Sequence, residues 1–193
     1  MHRLTHLIAM TMAASLLASC GEANPPTAVS ASNASLALSI RAQAQAGRSE
    51  VSLNVIDACD AATFNAAIGP GTCIRQGGMK FSQFIAELTR HQEVGAWRFA
   101  PPTFQASVGQ MVEATNLGGE THTFTHVAAF GGGIVPALNT LSGNPDEVAE
   151  CKALEADDFV PPGGIYSASL DQAGAQKFQC CIHPWMRATV QVP

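Results

Sequence analysis

Phe178-Gln179-Cys180-Cys181-Ile182-His183-Pro184-Trp185-Met186-Arg187 brings a thiol, an imidazole and a thioether into one short loop near the end of the chain. A thiolate and an imidazole with a thioether close behind match a trigonal His-Cys-His copper site with a weak axial Met, once a second His arrives from elsewhere. Zinc uses Cys and His but not Met. An iron–sulfur cluster wants four Cys at characteristic spacings, and this loop holds adjacent ones. The loop therefore reads as a clamp for one copper ion. The plainer reading is a strand end with a buried Cys, a capping His and a core Met.

The flanks of the loop fit a strand. Phe178 and Cys180 alternate with Gln179 and Cys181, so Cys180 is expected to point inward with Phe178 and Cys181 to face away. Pro184 disfavours helical backbone at His183 and holds the loop open. Trp185 is placed to cover the site and keep water off the metal.

The other end of the chain is a targeting signal. His2 and Arg3 form a short basic region, residues 7–17 an apolar run too short to span a bilayer, and Ala18-Ser19 a small-residue site. Leu17-Ala18-Ser19-Cys20 resembles a bacterial lipobox. That resemblance implies a lipoprotein signal peptide over residues 1–19, cleavage before Cys20 and a lipid anchor on its thiol. Gly21, rather than Asp, leans towards the outer membrane over the inner one. A plain secretory signal cut nearby is the alternative, and both place the protein in the periplasm or cell envelope.

Residues 20–48, rich in Ala, Ser, Asn, Gln and Pro, read as a flexible tether, with a helical turn or two over 36–46. Residues 49–193 are enough for a single domain with a sizeable core. The formal net charge of −5, with 13% charged residues, gives no basic surface for a nucleic-acid partner. Beyond the signal, no apolar run is long enough to cross a membrane.

Cys not bound to lipid or metal usually pair in an oxidising compartment. If Cys20 takes lipid and Cys180 takes copper, Cys59, Cys73, Cys151 and Cys181 remain. Cys59 and Cys73 bracket a Gly-Pro-Gly loop and are the local pair, leaving Cys151 to join Cys181. The competing assignment is a strained Cys180–Cys181 vicinal pair, which would silence the metal site.

Val51, Leu53 and Val55 share one face of a strand over residues 49–56. Phe81, Phe84, Ile85 and Leu88 recur at helical spacing and predict an amphipathic helix over 80–92, with His91 at its exposed end. Residues 95–102 read as a connector, with Trp97 and Phe99 as core anchors. Strands follow over 104–108, 111–116, 165–170 and up to Cys180. Alternation puts His122, Phe124 and His126 on one face, and does not say which His meets the metal. The acidic residues between Glu147 and Asp158 read as a solvated face.

Two segments, from Asn116 to Phe124 and from Tyr166 to Val192, resemble the cupredoxins, small blue copper proteins. The similarity covers about residues 104–193 and is best for the amicyanin-like and plastocyanin-like branch, whose ligand loop reads C-x-x-H-P-x-M. Here that pattern is Cys180, His183, Pro184 and Met186. The resemblance implies a mainly β, Greek-key sandwich over 101–193, with residues 49–100 as an N-terminal extension containing one helix. It also implies one type 1 copper held by His122, Cys180, His183 and Met186. Asn116 lies in the turn before His122. Thr123 takes the position that fixes the upstream loop to the thiolate loop, and Trp185 shields the site. His126 is then a surface or outer group.

The sequence departs from the family in a Gly-rich, acidic insert over 129–162 that carries Cys151. The function implied is one-electron transfer between redox partner proteins outside the cytoplasm, by a monomer, with electrons leaving at the outer edge of His183 in an exposed loop, among Pro184 and Trp185. A periplasmic copper carrier or delivery protein using the same ligands is the alternative. An enzyme is not expected, because a second copper would need further His and, once the signal with His2 and His6 is removed, only His91 and His126 are left.

Overall fold

A computed structural model describes residues 50–193. The signal peptide, Cys20 and the tether, including the helical turns expected over 36–46, lie outside the described residues. From there the chain runs Glu50–Ile56 (β1), Ala61–Ala67 (α1), Phe81–His91 (α2), Arg98–Ala100 (β2), Thr103–Gln105 (β3), Met111–Asn116 (β4), His122–Thr123 (β5) and Thr125–Val127 (β6). It continues through Pro136–Leu141 (α3), Ala149–Lys152 (α4), a 3-10 turn at Ala156–Asp158, Phe159–Val160 (β7), Ile165–Ser169 (β8), Gly174–Gln179 (β9) and Arg187–Val192 (β10).

The expected mainly β sandwich forms. One four-stranded sheet has the order β2-β1-β4-β8 and the other β3-β10-β9-β6, while β5 and β7 pair separately. In the first sheet β1 runs parallel to β4 and antiparallel to β2. In the second, β10 runs parallel to β3 and antiparallel to β9. Leu53, Val55, Val112 and Ala114 from the first sheet meet Phe178, Ala188 and Val190 from the second in one core. Period-two burial along these strands follows from covering one face of a pleated strand. Among the described residues no helix is long and apolar enough to cross a membrane.

The N-terminal extension departs from expectation in three ways. It holds two helices, because Asp60 caps a short α1 by accepting from the Thr63 N–H at 2.9 Å inside the Cys59–Cys73 loop. The expected connector contains β2, whose Phe99 pairs with Val55 of β1. Finally, β1 lies inside the first sheet, between β2 and β4. The predicted amphipathic helix is α2, and its Phe84 and Leu88 are buried.

The insert over 129–162 is also structured, with α3, α4 and β7. It covers the second face of β9. Gly131 N–H donates to Gln179 at 3.0 Å and Ile134 N–H to the Cys181 carbonyl at 2.7 Å. Gln179 and Cys181 are therefore buried as deeply as Phe178 and Cys180, instead of facing away. Both expected disulfides form, Cys59–Cys73 and Cys151–Cys181, and among the described residues Cys180 is the free cysteine.

Candidate metal centre

The loop between β9 and β10 closes on itself. Cys180 N–H donates to the Met186 carbonyl at 3.0 Å, and Met186 N–H to the His183 carbonyl at 2.9 Å. These bonds bury Cys180, His183 and Met186 together at the end of the core. His122 opens β5 and is set by Asn116. The Asn116 amide donates to the carbonyls of Glu120 and Val160, both at 2.8 Å, and its oxygen accepts from Gly118 N–H at 2.9 Å. Thr123 joins the two loops: its N–H points at Cys180 Sγ from 3.4 Å, and its Oγ1 accepts from Cys181 N–H at 2.8 Å.

Cys180 Sγ lies 3.7 Å from His122 Nδ1 and 3.8 Å from His183 Nδ1. All three donor atoms fall within 4.8 Å of one another. Sulfur and nitrogen ligands at about 2.3 and 2.0 Å from one ion, spread at trigonal angles, stand about 3.7 Å apart. The three side chains thus fit one metal ion with little rearrangement. Burial pushes the Cys180 thiol up, but the His122 and His183 imidazoles overcome it and hold the thiol well below its ordinary range. Burial opposes charge on His122 too, yet the Asp57 bond and Cys180 raise its imidazole to about 9.

The far side of each imidazole meets a carboxylate that sequence reasoning did not single out. His122 Nε2 lies 3.0 Å from Asp57 Oδ2, and His183 Nε2 lies 3.7 Å from Glu120 Oε2, which also accepts from Trp97 Nε1–H at 2.6 Å. Burial pushes the Asp57 carboxyl up, but His122 and the amides of Glu120 and Gly119 bring it down to about 2. Burial raises Glu120, partly offset by His183 and Trp97. Asp57 and Glu120 also come close to Cys59, but that sulfur is bonded to Cys73 and offers no thiolate. Glu120, two positions before His122, was visible in the sequence as a neighbour. Asp57 carried no such signal.

His183 corrects the expectation of an exposed edge: it is 3% exposed. Phe84 of α2 approaches its ring edge-on, with centroids 6.4 Å apart, and Trp185 does so at 5.4 Å. Trp185 thus lies against His183, together with a helix from the extension. His126 and His91 are exposed. The shared face expected for His122 and His126 is split, because β5 pairs with β7 while β6 pairs with β9.

No family model matches the sequence, and no curated protein matches it. Among solved structures, the chain is similar to a purple cupredoxin from Nitrosopumilus maritimus at 15% identity and a TM-score of 0.42, over 74% of this chain and 99% of that one. It is similar to oxidised plastocyanin from Dryopteris crassirhizoma at 19% identity and a TM-score of 0.39, over 74% and 100%. An amicyanin variant in its reduced state matches at 20% identity and a TM-score of 0.36, over 52% and 78%. These neighbours are cupredoxins at low identity.

Proposed function

We propose that this chain is a mononuclear type 1 copper protein that carries single electrons between redox partner proteins outside the cytoplasm. The supporting observation is the convergence of Cys180 Sγ with His122 Nδ1 and His183 Nδ1 at 3.7 and 3.8 Å in a buried pocket. Met186, buried in the same loop, would add a soft thioether donor, which favours copper over zinc. When bound, copper would supply a one-electron couple.

The chain's own residues do the rest. Asn116 braces the turn before His122, and Thr123 ties that turn to the Cys180 loop, an arrangement that would restrain the donors as copper changes oxidation state. Phe84 and Trp185 exclude water from His183. Burial of Cys180, His122 and His183 would favour retention of the ion, and so favours electron transfer over copper delivery. The two disulfides suit an oxidising compartment. A lipid anchor at Cys20 completes the proposal for location in the cell envelope.

Potentiometry separates the two copper readings. A reversible one-electron couple with copper retained through repeated cycles supports electron transfer. Rapid loss of Cu(I) to a chelator would instead make the chain a delivery protein.

A further inference from the structure

Asp57 follows β1, a strand held on both sides by β2 and β4, with Leu117 N–H donating to the Val55 carbonyl at 2.9 Å. Its side chain is 1% exposed. Besides the 3.0 Å contact with His122 Nε2, Oδ2 accepts from the N–H groups of Gly119 and Glu120 at 2.8 and 3.0 Å, and Oδ1 from Cys59 N–H at 3.2 Å. A buried carboxylate needs such donors. The approach depends on Gly118, since a Cβ there would collide with Asp57 Oδ2. The extension thus reaches across 65 residues of chain to hold one imidazole by its outer nitrogen.

Two consequences follow from this placement. With Nε2 occupied by Asp57, the nitrogen of His122 turned towards Cys180 Sγ is Nδ1, so the ring angle and the nitrogen that gives up its proton to an ion are set before any ion enters. A carboxylate on the far side of a ligand also interacts more strongly with Cu(II) than with Cu(I), and burial weakens the screening. Glu120 is placed more loosely, at 3.7 Å from His183 Nε2 and shared with Trp97.

We propose that Asp57 is a positioning residue of the centre, selecting Nδ1 of His122 as the ligating nitrogen and biasing bound copper towards its oxidised state. This rests on the copper reading above.

The test compares copper-loaded wild-type protein with Asp57→Asn by spectroelectrochemistry and by competition for Cu(II) and Cu(I). Cu(II) affinity is expected to fall about 10–100-fold. Cu(I) affinity should fall less, so the midpoint potential rises, by about 59 mV for each tenfold difference between the two losses. A folded Asp57→Asn that binds one copper at an unchanged or lower potential overturns the proposal. Should the variant not fold, nitrogen NMR of the wild-type Cu(I) form decides: Nε2 protonated and Nδ1 ligated supports it, and the reverse overturns it. If the wild type takes up no copper, the copper reading has failed separately. Asp57 is then judged in the metal-free protein, where a slowly exchanging His122 Nε2–H supports the contact and a fast one refutes it.

Discussion

Thr123 reaches Cys180 from 57 positions away in sequence, its N–H directed at Sγ from 3.4 Å. Its hydroxyl oxygen meanwhile accepts from the next residue's amide, Cys181 N–H, at 2.8 Å. One fully buried residue therefore bonds both to the thiol and to the backbone beside it. Thr123→Val keeps the shape and leaves the Cys181 N–H without its acceptor. An unmade buried bond of this kind costs about 1–3 kcal/mol. Urea unfolding of the metal-free variant should show that loss, and an unchanged midpoint would mean the bond contributes nothing.

Phe84 lies between the core and the centre. Its ring packs against Trp97 at 4.8 Å and Trp185 at 5.9 Å before meeting His183. Phe84→Ala should destabilise the fold by about 3–5 kcal/mol, as other buried Phe truncations do. It should also admit water to His183, so that a small chelator removes copper faster. Both are read on one preparation, by denaturant titration and by the rate of chelator uptake.

The Cys151–Cys181 bridge closes a loop of 30 residues and ties the insert to the residue beside Cys180. Constraint of the unfolded chain by a loop of that size contributes on the order of 3–4 kcal/mol. Replacing both cysteines by Ala should lower stability by that order while leaving one copper bound. Loss of copper binding at temperatures where the double variant is folded would show that the bridge shapes the ligands too.

Metal loading should depend on pH in a defined direction. In the metal-free protein His122 holds its proton up to about 9, whereas Cys180 is already deprotonated well below the ordinary thiol range. A metal ion must displace the imidazole proton, so raising the pH tightens binding. Between pH 7 and 8 the apparent Cu(II) affinity should rise about tenfold, with close to one proton released per ion. Titration in two buffers of different ionisation enthalpy counts that proton, and no release at pH 7.5 would contradict the paired state of His122 and Cys180.

The proposed local ligand set was legible in the sequence because Cys180, His183 and Met186 fall in one short loop and are chemically specific. The Cys59–Cys73 pair was legible from its short span, and α2 from the spacing of Phe81, Phe84, Ile85 and Leu88. Contacts made through tertiary packing were not. Asp57 meets His122 only because β1 enters the sheet beside β4, a pairing with no local signature. Phe84 reads equally as a core residue, and nothing in the period of its helix says that the core there ends at His183. The insert read as a loop because Gly-rich, acidic sequence has weak periodicity. The burial of Cys181 and Gln179 beneath it depends on long-range bonds to Gly131, Ile134 and Cys151.

The central claim, a thiolate-bound copper at Cys180, is tested most directly by the visible absorption spectrum of the oxidised, copper-loaded protein with its copper stoichiometry. One copper per chain is expected, with an intense thiolate-to-copper band that disappears in Cys180→Ser. One bound copper without that band, or a band unchanged in Cys180→Ser, would contradict it.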